Sequence, residues 1–525
     1  MSKLPLSAGI FWLVLLATIS ASEPQDKLSS GLTALKNGDV QHAIVLLQDV
    51  LKSDPENFKA NMGLGNAYLY ARDYPRAVAY LEKAVQIDPG NTGAASNLGA
   101  AYSLMGKPQK AIETYRKVLD RDPANAEMYN NLAIIYQSTG NVEEALKAYD
   151  RAIGIRSSEP SYYVNKGKVL LTMNKKDQAK AVFEQALKLD PKHLGAFVAL
   201  GTLYLNSADY EKAQDYLLTA LKHHPDSWEA QGTLGLVNEM QGKLEQAIYR
   251  YGLALKLNPD DDRYLENMGS AYMKKGDMAS AILQYRQYAA RNPKSARAHG
   301  SLGTALTASG DYYGAVEELK IATSQDTANA HYETALGTAY SNLNKLELAE
   351  DCFNRVLRFD PDNTDARLQL GILNYRQSNW QAAEKYIRGV VAMNPSEAEA
   401  HYYLGMILLQ KNDPKAAQKE FSELKSLVKN DYRAYYGLGL VDLKTGSAQN
   451  AIENFTMALK YNEKYLEAHW ELGKIYESSG EKDAAYKEFK RILLIDPEYK
   501  LKEEIKRKLK MFRDQGVVDN DWQNF

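Results

Sequence analysis

The 525 residues carry 64 basic and 66 acidic side chains, a net charge of -2, which lacks both the basic excess of a dedicated nucleic-acid binder and the acidic excess of a solvating tail. With 45% hydrophobic and 25% charged residues the composition is that of a soluble folded chain, neither disordered nor multi-spanning. The single cysteine, Cys352, excludes an intramolecular disulfide and a thiolate-based zinc cluster, since each needs at least two thiols.

The chain opens with Lys3, the apolar run Ile10 to Ala17 and Ile19-Ser20-Ala21, followed by the polar stretch Ser22 to Lys27. This is the order of a signal peptide, residues 1–21, cleaved after Ala21. The uninterrupted apolar core is eight residues, short of the ~20 that span a bilayer. Counted from Leu4 to Ala21, the same segment reads instead as an uncleaved membrane anchor. Either reading places the rest of the chain outside the cytoplasm, periplasmic or secreted.

From residue 24 to residue 499 the chain has one period. Pro55, Pro89, Pro123, Pro191, Pro225, Pro259, Pro293, Pro361, Pro395 and Pro497 lie on an arithmetic series of step 34, and Ser157, Thr327, Lys429 and Glu463 fill the other slots without shifting the frame. Fourteen such repeats leave no room for another domain. The eighth position is glycine in every repeat but one, from Gly31 and Gly65 to Gly473, with Ala133 the exception. The twentieth is always alanine, from Ala43 to Ala485. Small residues at both places predict two helices crossing at close range. Turn residues such as Met105-Gly106-Lys107 lie between them, where glycine accepts the left-handed conformation that ends a helix. Proline near the end of each repeat cannot continue a helix. Large apolar residues recur at position eleven (Tyr68, Tyr102, Tyr136) and position twenty-four (Tyr115, Phe183, Phe421), so much of the excess of 36 tyrosines is core.

The 34-residue period, the small residues at eight and twenty, the aromatic at twenty-four and the proline at thirty-two resemble the tetratricopeptide repeat, TPR. The resemblance covers 24–499 and implies an all-α, right-handed superhelical α-solenoid of helical hairpins whose first helices line a concave groove. Residues 500–525 break the pattern. Leu501, Ile505, Leu509 and Phe512 mark one face of a helix, with Lys502, Lys506, Arg507, Lys508, Lys510 and Arg513 around it. This reads as a C-terminal capping helix with a short tail in which Trp522 and Phe525 could anchor in a groove. A basic amphipathic helix could also make peripheral contact with an anionic membrane.

No catalytic constellation, metal site or cofactor motif emerges, so the chain is read as non-enzymatic. His299, His401 and His469 all fall at position four, so their recurrence follows from the repeat. Gly99 to Lys107 approaches a phosphate loop, but its glycines are two residues too far apart and Pro108 stands where a hydroxyl is needed.

The resemblance implies that positions 2, 5, 6, 9, 12 and 13 face the groove. Repeats three to five place Asn97, Asn130, Asn131 and Asn165 there, with Asn66 just before, which resembles the asparagine ladder of the TPR region of O-linked N-acetylglucosamine transferase. That likeness implies binding to a peptide backbone, since an amide both donates and accepts. Repeats nine and ten present small residues such as Gly300, Ser301, Thr304 and Thr338. Repeats eleven to fourteen present Leu368, Ile372, Tyr375, Tyr402, Met406, Tyr436, Leu440 and Trp470, an apolar stripe expected to be wet and therefore a candidate protein interface. The two-carboxylate clamp of chaperone-tail-binding TPR modules is incomplete, because Met62, Glu127 and Asn131 replace its cations. These readings make the chain an extracytoplasmic scaffold for protein or peptide partners, with no nucleic-acid partner, in assembly of a secretion, pilus or polysaccharide-export complex. The alternative is a non-catalytic accessory subunit of an envelope glycan or sugar-transfer enzyme. Host, pathway and oligomeric state have no signature in the chain.

Overall fold

A computed structural model describes residues 24 to 517; the expected export segment, residues 1–21, and Trp522 and Phe525 lie outside the described residues. Among the described residues there are twenty-nine helices and no strand. Fourteen consecutive hairpins run from Pro24–Lys36 with Val40–Ser53 to Leu466–Ser479 with Lys482–Ile495, and the helix Lys502–Asp514 follows. The chain divides into two compact units, Met1–Tyr264 and Leu265–Phe525, parting inside the helix Arg263–Lys275.

Local chemistry sets where each helix begins and ends. Position 34 of one repeat caps the first helix of the next: the Asn57 side chain accepts from the Ala60 N–H at 3.0 Å, and Asn91 accepts from Ala94 at 3.0 Å. Asp39, Asp73 and Asp209 cap second helices in the same way. Between the two helices position 15 is left-handed, with Gly106, Gly140 and Gly242 at φ of 69°, 77° and 74°. Arg72, Asn174, Ala208, Asn344, Ser378 and Asn412 take the same conformation without being glycine, at φ between 57° and 63°.

Packing within the hairpin is set by positions 8 and 24. A Cβ on Gly167 would lie 2.2 Å from Phe183 Cε1, and one on Gly99 2.3 Å from Tyr115 Cζ. The side chain at position 24 thus rests on the bare backbone of the first helix. Phe183, Phe353, Phe421, Phe455 and Phe489 are fully buried there, as is the alanine at position twenty from Ala43 to Ala485. In the first unit the first helices of successive repeats also touch one another, so their outward faces form a continuous row.

At the end of the second unit Ile505, Leu509 and Phe512 are buried against the last repeat, with Phe512 stacked on Phe489 at 6.3 Å between centroids. Lys508 reaches back to Glu477 at 2.6 Å. This helix closes an apolar face that a fifteenth repeat would otherwise cover. No helix among the described residues is long and apolar enough to cross a membrane.

Two substitutions test this account by urea unfolding. Gly167→Ala forces a methyl into the Phe183 ring and is expected to cost about 1–3 kcal/mol. Ala208→Gly removes the left-handed penalty and is expected to stabilise by about 1 kcal/mol. A neutral Gly167→Ala would refute the seating of position 24 on position 8.

Candidate functional site

The asparagines of repeats two to five stand on first helices, Asn66 on Phe58–Tyr70, Asn97 on Thr92–Leu104, Asn130 and Asn131 on Ala126–Ser138, and Asn165 on Pro160–Thr172. All five are half-buried. They are joined across repeats: Asn97 Nδ2 donates to Asn66 Oδ1 at 2.7 Å, and Asn131 Nδ2 to Ser96 Oγ at 2.8 Å. Asn165 Nδ2 donates to Asn130 Oδ1 at 3.1 Å, and Asn130 Nδ2 to Asn131 Oδ1 at 3.4 Å. An amide carries two N–H donors and two lone pairs, so each member retains capacity after these bonds. The row offers donors and acceptors at the spacing of successive repeats.

Beside the row lies a cavity of about 270 Å3 between the first helices of repeats five and six, Pro160–Thr172 and Leu194–Leu205. Leu171, Phe183, Leu194, Val198 and Ala199 give it an apolar wall. Lys168, Thr202 and Glu229 add the polar part of its lining. His193 caps the helix that forms one side, its Nδ1 accepting from Ala196 N–H at 3.2 Å and its Nε2 lying 3.4 Å from Ser161 Oγ. Burial holds this imidazole below its ordinary value of 6.5; Asp190 and Glu159 oppose the shift, and His224 and Lys168 reinforce it.

The apolar stripe of repeats eleven to fourteen requires a correction. Leu368, Ile372 and Tyr436 are buried at 6%, 6% and 7% exposure and belong to the core, while Tyr375, Tyr402, Met406, Leu440 and Trp470 are half-buried. The reason is that the stripe covers itself. Tyr375 packs edge-on against Trp380 and Tyr403, Tyr402 meets Tyr403, and Tyr436 meets Tyr465 at 5.0 Å. The Tyr402 and Tyr465 hydroxyls are hydrogen-bonded, and burial pushes both, with that of Tyr436, well above the ordinary phenol range. Trp470 packs on Phe489 at 5.3 Å.

The histidines at position four are structural clasps. His299 Nδ1 lies 2.6 Å from Glu318, His401 Nδ1 2.7 Å from Glu420 and His469 Nδ1 2.5 Å from Glu488, each joining first helix to second. The glutamate at position 23 is the partner that sequence reading missed, although its recurrence nineteen residues after each of these histidines is visible in the chain. Among the described residues no group of three or more His, Cys, Asp or Glu is placed to hold a metal ion. Cys352 is buried, and burial pushes its thiol up to about 12, so it is not an activated nucleophile.

A family model described as tetratricopeptide repeat matches residues 28–92, 98–160, 198–262, 266–330, 334–392 and 368–431; two further models of the same description match 160–193 and 442–505. No curated protein matches the chain. A solved structure described as the APC/C hetero-tetramer Cut9-Hcn1 aligns with 95% of this chain and 98% of that chain, at 16% identity and a TM-score of 0.49.

Two outcomes follow from this geometry. Because folding lowers the affinity of His193 for a proton, the unfolded chain binds it first as pH falls; the contribution is complete above about pH 6.5 and declines below it. Hydrogen exchange in the helix Leu194–Leu205 is therefore expected to accelerate, relative to the other repeats, between pH 7 and pH 5.5, and His193→Asn, the cap used at Asn57, to remove that difference. Tyr436→Ala is expected to lower stability by about 3 kcal/mol or more, whereas Asn97→Ala stays within about 1 kcal/mol; calorimetry of both variants checks the contrast.

Proposed function

We propose that this chain, which belongs to the tetratricopeptide-repeat family, is a non-enzymatic scaffold that holds extended segments of partner proteins along the first-helix face of repeats two to six. The observation that carries this reading is the cross-repeat asparagine row, in register and half-exposed. A peptide backbone alternates donors and acceptors, and a row of amides meets it whatever its side chains are. The largely buried stripe of repeats eleven to fourteen is secondary, contributing at most through the half-exposed Tyr375, Tyr402, Met406, Leu440 and Trp470.

The order of Lys3, the apolar run and the Ser20-Ala21 pair supports export. We therefore place the scaffold outside the cytoplasm, in the assembly of an envelope complex for secretion, pilus or polysaccharide export. Amides also suit sugar hydroxyls, which favours a second reading, an accessory subunit presenting glycan to a transferase.

A photo-crosslinking amino acid at Ser96 or Asn131 is expected to capture peptide segments of partner proteins, and one at Tyr313, exposed on a second helix, to capture none of them. Equal capture at the two places, or capture of glycan alone, would overturn the peptide reading. Export is checked separately by intact mass of protein from the envelope fraction, expected to lack residues 1–21.

A further inference from the structure

We propose that the cavity between the first helices of repeats five and six is a socket for one aliphatic or aromatic side chain of the bound segment, with an acidic neighbour directed to Lys168 and a basic one to Glu229. The inference rests on the peptide-binding reading above and names what that peptide must contain.

Three observations lead to it. The socket continues the amide row, because Asn165 and Lys168 are three residues apart on the same first helix and so share a face. A segment held by the row is thereby led to the mouth of the cavity. Most of its wall is carbon, from Leu171, Leu194, Val198 and Ala199, with the polar side chains Lys168, Thr202 and Glu229 completing the lining, the arrangement of a pocket for an apolar side chain with polar groups around it. The volume of about 270 Å3 falls below the roughly 300–1,000 Å3 of small-molecule pockets, which fits a single leucine, methionine or phenylalanine side chain entering from a chain that stays outside.

The charges then set what flanks that side chain. Lys168 comes from repeat five and Glu229 from repeat seven, on either side of the repeat that forms the middle of the socket. Lys168 is exposed and makes no ion pair among the described residues. The carboxylate of Glu229 accepts from Ser227 Oγ at 3.3 Å, and the cation near it, Arg263, is itself paired with Asp261 at 2.6 Å. Two opposite charges, neither neutralised by an ion pair, beside one apolar opening are complementary to an acidic, apolar, basic order along an extended segment. Charge placed this way selects orientation and register more than it adds affinity.

The test is a selection from a random dodecapeptide phage library on the full chain, followed by fluorescence anisotropy with the enriched peptides made synthetically. The selected peptides are expected to share one Leu, Ile, Met or Phe between an acidic and a basic residue, and changing that residue to glycine to weaken binding tenfold or more. Thr202→Phe, which fills the socket from its half-exposed rim, is expected to cause a similar loss. The paired swap Lys168→Glu with Glu229→Lys, on side chains whose change leaves the core intact, is expected to favour peptides of the reversed charge order. Asn131→Ala with Asn165→Ala is expected to weaken every peptide equally, whatever its central residue. If peptides bind but neither Thr202→Phe nor the charge swap alters affinity or preference, the socket is overturned while backbone binding stands. If the socket variants abolish binding and the asparagine variants leave it unchanged, backbone recognition is overturned and the socket stands. Enrichment of no peptide overturns both.

Discussion

The contact on which this molecule depends is the seating of a bulky side chain at position 24 on a Cα that carries nothing at position 8. A Cβ added there would come within 2.2 Å of its partner at Gly167 and within 2.9 Å even at Gly31, distances that packed atoms do not reach. The glycine sets how near the two helices of a hairpin lie, and the alanine at position twenty keeps the approach equal along their length. With hairpins of one thickness, equivalent residues of neighbouring repeats recur at one height. That is what allows Asn131 to reach Ser96 and Asn165 to reach Asn130, each thirty-five residues away. The helix that needs room for its neighbour thereby creates the register of the amide row.

How much of this the sequence displayed depends on how many side chains a feature requires. The seat of Phe183 on Gly167 involves two positions at fixed offset in every repeat, so periodicity exposes it, and the apolar face of Lys502–Asp514 needs only one helix. The clasp of His401 on Glu420 also lies at fixed offset, but it recurs three times rather than fourteen and is easily taken for surface charge. The socket needs Leu171, Val198 and Glu229 from three repeats at once, and no offset reveals it. The stripe misled for a related reason. Repeat position predicts that Leu368 and Tyr436 face outward, but not that the aromatics gathered nearby, Tyr403 and Tyr465 among them, fold over that face.

The two compact units accordingly use the same repeat for different ends. In the second, aromatic rings of repeats eleven to fourteen pack on one another over the first helices, and three His–Glu pairs join first helix to second. In the first, amides and a serine stand at positions five, six and nine of repeats two to five, bonded to one another across repeats, and a cavity lies beside them. Exposed large residues such as Tyr70 and Leu104, at position thirteen of repeats two and three, border this open face.

The hydrogen bonds of the amide row all point one way across repeats. Asn97 donates to Asn66, Asn131 to Ser96 and Asn165 to Asn130, always from the later repeat to the earlier. Rotating Asn97 or Asn165 alone by half a turn would set carbonyl against carbonyl, so the members of those two amide pairs reverse together or not at all, whereas the Ser96 hydroxyl opposite Asn131 both donates and accepts. The row therefore has a sense, like an arrow drawn along the repeats. A polypeptide also has a sense, from amino to carboxyl end, and its two ways of lying on an arrow are not equivalent. On the peptide-binding reading proposed above, a surface indifferent to side chains would in this way still distinguish a segment from the same segment threaded backwards.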